Sequence, residues 1–207
     1  KMKQMGTGRA YTIKELASYS FLLEHFYIVD ETTSMTKQDL NGTKLVTMDL
    51  SAKLGKEEPL VLIYHTHGSE TYKKVNGKEG SVIEVGTALT KELENVYGIK
   101  TVHDKSVYDM VDGQLDRNAA YNFAGDSVEA ALRKNPSVKV VIDLHRDSVE
   151  NNIHLRTKVN GKSAAQIMFF NGVSRLASKG DIGYLYNPNK EANLAFSLQM
   201  QLLCGKY

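Results

Sequence analysis

Two apolar runs, far apart along the chain, constrain the fold more than any other feature. Leu60-Val61-Leu62-Ile63-Tyr64 leads straight into His65-Thr66-His67-Gly68-Ser69-Glu70, and Val140-Val141-Ile142 leads into Asp143-Leu144-His145-Arg146-Asp147. Short apolar runs rich in β-branched residues read as strands buried on both faces, as in a parallel sheet. Histidine and carboxylate at their tips mark where each strand leaves the sheet. In open α/β sheets, ligands collect at the carboxyl ends of the strands. Two such tips, brought together, are predicted to form a metal site.

The order of elements between them supports a parallel sheet. The spacing predicts a strand over 60–67. A Gly- and Lys-rich loop follows at 73–80, then a helix opened by a Ser81/Glu84 capping box. Val82, Val85, Leu89, Leu93 and Val96 fall on one face of that helix, and Gly98 ends it. Ile99–Val102 is a second strand. Residues 115–134 form a second helix, stopped near Asn135-Pro136, and a strand at 138–145 follows. This β-α-β-α-β order implies right-handed crossovers. The expectation is an α/β fold, a mostly parallel sheet with flanking helices.

The flanks read differently. A Thr12/Glu15 capping box starts a helix through about His25, and Phe26–Val29 is a short strand candidate. Residues 30–59 are polar, with an Asn41-Gly42 turn signal and room for a short helix. Residues 1–55 are therefore expected to be an α-rich appendage packed on a main domain at 56–207. Beyond that core, Asn160-Gly161 predicts a hairpin between 153–159 and 163–170. A helix over 189–203 places Leu194, Leu198 and Leu202 at four-residue spacing.

Composition excludes several classes. The chain has 207 residues, 42% apolar and 24% charged, with a net charge of +2. That is an ordinary globular balance, long enough to bury a core. The charge does not argue for nucleic acid, and the basic residues are not interleaved with aromatics. A single cysteine, Cys204, rules out an internal disulfide and a Cys-rich zinc site. It reads as filler on an apolar helix. There is no phosphate-binding glycine loop and no Gly-x-Ser-x-Gly elbow. No apolar run approaches the length of a membrane span. Both ends look cut from a longer protein.

The chemistry rests on the two tips. His65 and His67, two apart on the first strand, share a face, as do Asp143 and His145 on the later one. Catalytic zinc takes three ligands from histidine and carboxylate and keeps one position open. The two tips together supply three histidines, His65, His67 and His145, and three acids, Glu70, Asp143 and Asp147, as candidate ligands. Glu84 is accounted for by its capping box, and Glu79 reads as a solvated loop carboxylate. Asp143 has the alternative of orienting a histidine through its second N–H. His65 is a supporting residue, Arg146 a charge-stabilising or substrate-orienting one, and Arg146-Asp147 has the plainer reading of a local ion pair. His25, His103 and His154 have no histidine or carboxylate cluster around them in sequence, and read as ordinary. Tyr72 and Tyr121 read as partial core.

Ile63–Tyr72 and Val141–Asp147 resemble the two signature stretches of the stage II sporulation protein P family. Phe26–Asp30, Val85-Gly86 and Gln166–Phe170 are similar to it as well, so the likeness runs from about residue 18 onward. The resemblance implies an amidase-like fold and a zinc-dependent peptidoglycan hydrolase. Such an enzyme cuts the N-acetylmuramoyl-L-alanine bond, and peptide cross-links too, during spore engulfment. It implies an extracytoplasmic, membrane-anchored protein that partners stage II sporulation proteins D and M. It places His67 and His145 as ligands and a glutamate as the third, favouring Glu70 with Glu79 and Glu84 as alternatives. It also implies a catalytic glutamate on a later strand, expected beyond Tyr207, so the domain at 56–207 reads as truncated. Two rivals remain: a catalytically silent cell-wall-binding or scaffold module, and an unrelated two-metal hydrolase.

Overall fold

The computed structural model describes residues 8–53, 57–73, 78–150 and 152–205. In chain order the elements begin with α1 (Ile13–Leu16), α2 (Tyr19–His25), α3 (Gly42–Thr47), β1 (Val61–Tyr64) and α4 (Val82–Asn95). They continue with β2 (Thr101–His103), β3 (Met110–Val111), β4 (Gln114–Leu115), α5 (Arg117–Lys134) and β5 (Val140–Asp143). The hairpins β6 (Arg156–Val159) with β7 (Lys162–Ala165) and β8 (Arg175–Leu176) with β9 (Gly180–Asp181) precede α6 (Lys190–Cys204). None of the described helices is long and apolar enough to cross a membrane.

The chain divides into two compact units, Ala52–Asn152 and Lys1–Ser51 with Ile153–Tyr207. The expected boundary at residue 55 lies outside the described residues. The expected partition also differs from the observed one: the last third of the chain groups with the first 51 residues and not with the sheet. The reason is apolar. Leu16, Leu22, Leu40 and Leu45 cannot bury themselves on three short helices, and Leu194, Ala195 and Leu198 of α6 complete their core. Local pattern identified Leu194 and Leu198 of α6 but not the leucines they pack against.

In the unit Ala52–Asn152 the sheet is parallel, in the order β2-β1-β5. Val61 pairs with Thr101 and Val140, and Tyr64 pairs with Asp143, so β1 lies in the middle. Val61, Leu62 and Ile63 are buried, as a central strand requires. The α/β class is as expected.

Helix α4 starts where the sequence places it. Ser81 Oγ accepts from Glu84 N–H at 3.2 Å, and Glu84 Oε2 accepts from Ser81 N–H at 2.8 Å. Such a cap is worth about 1 kcal/mol. Its buried face is rotated from the expected one. Val82 and Gly86 are buried, whereas Val85 and Val96 are 42% and 61% exposed. Helix α5 is capped by Asp116, which accepts from Asn118 N–H and Ala119 N–H, and it ends at Asn135 before Pro136.

Elsewhere the local forecasts divide. The hairpin turn is as expected, with Asn160 and Gly161 both at positive φ (51° and 76°). The single helix over 12–25 is instead two, because Ser18 accepts from Phe21 N–H and opens a second one. Residues 26–29 form no strand. Asn41 caps α3 through Lys44 N–H and does not make a free turn. Cys204, expected in the core, is exposed at the end of α6. In the loop 73–80, residues 74–77 lie outside the described residues.

Candidate metal centre

The strands stop earlier than the apolar runs suggest. β1 ends at Tyr64 and β5 at Asp143, so all the chemistry-bearing side chains except Asp143 stand on the connections just beyond the sheet. The turn after β1 is held at both ends by carboxylates. Asp143 accepts from Thr66 N–H at 2.9 Å and from Thr66 Oγ1–H at 2.5 Å. Asp109, fully buried, accepts from Ser69 N–H at 3.1 Å and from Ser69 Oγ–H at 2.5 Å. Between these anchors Gly68 passes so close to the 106–107 backbone that a Cβ would lie 2.9 Å from Ser106 O. Only glycine lets the turn pack this tightly.

That clamp aims His67 and Glu70 at His145. One ligand-type atom from each of His67, Glu70 and His145 can be chosen so that all lie within 4.8 Å of one another. His67 Nδ1 stands 3.7 Å from Glu70 Oε1, and His145 Nδ1 stands 3.7 Å from Glu70 Oε2. Those separations are too long for hydrogen bonds. A tetrahedral zinc with bonds near 2.1 Å would separate its ligands by about 3.4 Å, close to the observed spacing. All three side chains are largely sheltered, Glu70 and His67 more than His145.

The outer contacts orient the ligands. His145 Nε2 lies 3.0 Å from Asp143 Oδ2. That nitrogen therefore carries the proton, which leaves the Nδ1 lone pair facing Glu70 and His67. Such a carboxylate–histidine contact fixes the tautomer of a metal-binding imidazole. The hydrogen bond to Asp143 is the main cause of a His145 pKa above the ordinary histidine value, and burial opposes it. Asp143 in turn is held below the usual aspartate value by His145 and Thr66, against the opposing effect of burial. Glu70 Oε2 accepts from Arg146 N–H at 3.0 Å, which ties the two strand ends together. His67 Nε2 is buried without a partner among the described residues. A histidine whose Nδ1 faces a carboxylate and whose other nitrogen is buried without a partner, beside a second histidine, belongs to the donor set a borderline-soft cation takes.

The remaining candidates separate cleanly. Glu84 is spent on its helix cap, and Glu79 is exposed and accepts from Thr71 Oγ1–H. Of the three glutamates, Glu70 alone joins the two histidines among the described residues. His65 is fully buried, so it does not meet substrate. Its Nδ1–H donates to Leu144 O at 2.9 Å and so holds the backbone just ahead of His145. Arg146 and Asp147 form no ion pair: among the described residues the guanidinium reaches only the Asp147 carbonyl, at 3.4 Å. Tyr121 is 59% exposed and stands edge-on to the His67 ring at 5.4 Å, not in the core.

Sequence reasoning missed two residues. His103 Nε2 lies 2.9 Å from His65 Nε2. Since His65 Nδ1 carries a proton, its Nε2 accepts and His103 Nε2–H donates. Burial holds both histidines below the ordinary value, which keeps the pair neutral. A Cβ on Gly86 would come within 2.7 Å of His103 Nε2, so that glycine lets α4 lie on the pair. One signal was present: His103 ends β2 as His65 follows β1. For Asp109 there was none, because its partner Ser69 is 40 residues away.

Comparison with known proteins decides the family. The family profile described as stage II sporulation protein P matches residues 11–207, across both units. The chain belongs to the stage II sporulation protein P family. Stage II sporulation protein P of Bacillus subtilis (strain 168) is 27% identical over 127 residues. That match covers 56% of this chain but only 31% of the relative, so the chain spans about a third of that protein. No solved structure matches significantly. The family assignment makes this a sporulation protein. Both of its unusual segments, the turn at 65–70 and the tip at 143–147, lie inside the matched span.

Proposed function

We propose that this stage II sporulation protein P chain is a zinc-dependent peptidoglycan hydrolase. It would cut the N-acetylmuramoyl-L-alanine amide bond, with peptide cross-links as a second target, on an amidase-like sheet. The observation that carries the reading is the convergence of His67, Glu70 and His145, with Asp143 holding the one proton of His145 away from the site.

His67, Glu70 and His145 would hold the ion. Zinc in such a site supplies Lewis acidity toward a carbonyl oxygen and toward water. The chain's own contribution is orientation. Asp143 and Asp109 fix the turn through Thr66 and Ser69, so the ligands need not reorganise when the ion enters. Arg146 N–H keeps Glu70 pointed inward. Tyr121 shields one side of His67. In the same reading the native protein is extracytoplasmic and membrane-anchored, its substrate is the cell wall, and its partners are stage II sporulation proteins D and M.

The test combines metal analysis with a wall digest. Purified chain should hold one zinc, and muropeptide release should stop with a chelator and return with zinc. His67→Ala should lose metal and release together. Stoichiometric zinc in that variant would overturn the ligand set. Zinc without any muropeptide release would instead favour a silent wall-binding module.

A further inference from the structure

Arg146 is bound into the centre yet leaves its charge unused. Its backbone N–H donates to Glu70 Oε2, so the residue cannot drift from the site. Its side chain is half-buried, and Nε is buried without a partner among the described residues. Among the described residues, the only contact of the guanidinium with a hydrogen-bond acceptor is the long one to the Asp147 carbonyl. The neighbouring Asp147 carboxylate accepts instead from Ser148 N–H. Arg146 also directly follows His145, so its side chain leaves the backbone beside a ligand of the triad.

A half-buried cation with no counter-ion is unfavourable unless an anion arrives. With a divalent ion balanced by the carboxylates of Glu70 and Asp143, Arg146 tips the centre net positive. A guanidinium is a planar fork suited to the two oxygens of a carboxylate, less so to a single oxyanion. The stem peptide of peptidoglycan carries free carboxylates beside the amide that links it to the sugar. We propose that Arg146 is the specificity residue of this centre, gripping a stem-peptide carboxylate next to the scissile amide. This inference rests on the hydrolase reading above.

The test uses two muropeptides that differ only at the D-glutamate α-group, one a free carboxylate and the other its carboxamide. The full chain should prefer the carboxylate form by about 10–100-fold in kcat/KM, the range of a hydrogen bond to a charged group. Arg146→Gln should erase that preference through a rise in KM for the carboxylate substrate and retain zinc; Arg146→Lys should restore part of it. Equal losses on both substrates would overturn the proposal, because a structural or oxyanion role predicts that outcome. Calorimetric binding of both muropeptides to the metal-free chain separates the two readings. If neither is cleaved, tighter binding of the carboxylate form that Arg146→Gln abolishes upholds this inference while the hydrolase reading fails. Equal binding of the two forms would refute it.

Discussion

The two units bury polar groups in opposite ways. In the unit Lys1–Ser51 with Ile153–Tyr207, a leucine core is joined by one closed ionic network. Asp39 takes Arg175, Lys190 Nζ at 2.9 Å, Thr36 N–H and Thr36 Oγ1–H, and Arg175 also takes Asp181. Every oxygen of the buried Asp39 carboxylate is answered. In the unit Ala52–Asn152, the buried polar groups sit beside the strand tips and are answered only in part. His67 Nε2 and Arg146 Nε have no partner among the described residues. An unpaired phenol occurs in the first unit as well, Tyr27, whose burial pushes its pKa up to about 12. That group is neutral, and a neutral orphan costs far less than an unmatched charge or an open ligand. The contrast teaches that burial alone does not mark a site; burial with open valences around a fixed frame does.

Substitutions sharpen that contrast. The largest effect is expected from Asp39→Ala, which leaves Lys190 and part of Arg175 unmatched. It should cost about 3 kcal/mol of unfolding free energy. Zinc affinity of the folded chain should not change, and equilibrium denaturation beside zinc titration would check both. Asp143→Asn should do the reverse. Losing the carboxylate that orients His145 should weaken zinc binding by about 10–100-fold, while stability of the metal-free chain changes less. A loss of zinc affinity in the Asp39 variant as large as in the Asp143 variant would erase the distinction between the units.

Gly86→Ala probes the frame itself. Its new methyl would press on His103 and His65, and overpacking of this kind costs about 1–3 kcal/mol. The penalty should shrink in a His103→Ala background, and a double-mutant cycle by urea denaturation measures the difference. The smallest effect is one of pH. Hydrogen bonds from Lys190, Thr36 and Arg175 hold Asp39 well below the ordinary aspartate pKa, although burial is the largest single influence and opposes them. A depressed folded pKa contributes stability that is present above the unfolded value, about 3.9, and is lost as pH falls below it. The stability gap between the wild type and Asp39→Asn should therefore narrow from about pH 4 downward.

Much of the sheet was legible because its signals are local. The runs at 60–64 and 140–143 announce their own burial. Ser81 and Glu84 sit three apart and cap a helix wherever it lies, and Asn160-Gly161 turns a hairpin without outside help. Of the site, the two strand tips were legible because composition marks where each strand ends, and the family resemblance singled out His67 and His145 on them. The failures share a cause. Val85 and Val96 match a helical face, but the face is chosen by the packing of Gly86 on a histidine pair. Phe26–Val29 is apolar enough for a strand, yet no partner strand is offered. Asp109 and His103 acquire meaning only from residues far away in sequence.

The sequence by itself determined the parallel sheet, its helix caps and the strand tips that carry the chemistry, because these depend on neighbours a few residues apart. Tertiary structure alone decided that Glu70 and not Glu79 or Glu84 joins the histidines, and that Asp143 orients His145. It also decided that His65 pairs with His103, and that the chain's first and last segments share one core. Each of these depends on the distance between elements that only packing brings together, and hydrogen bonds and ligand sets are decided over a few ångströms.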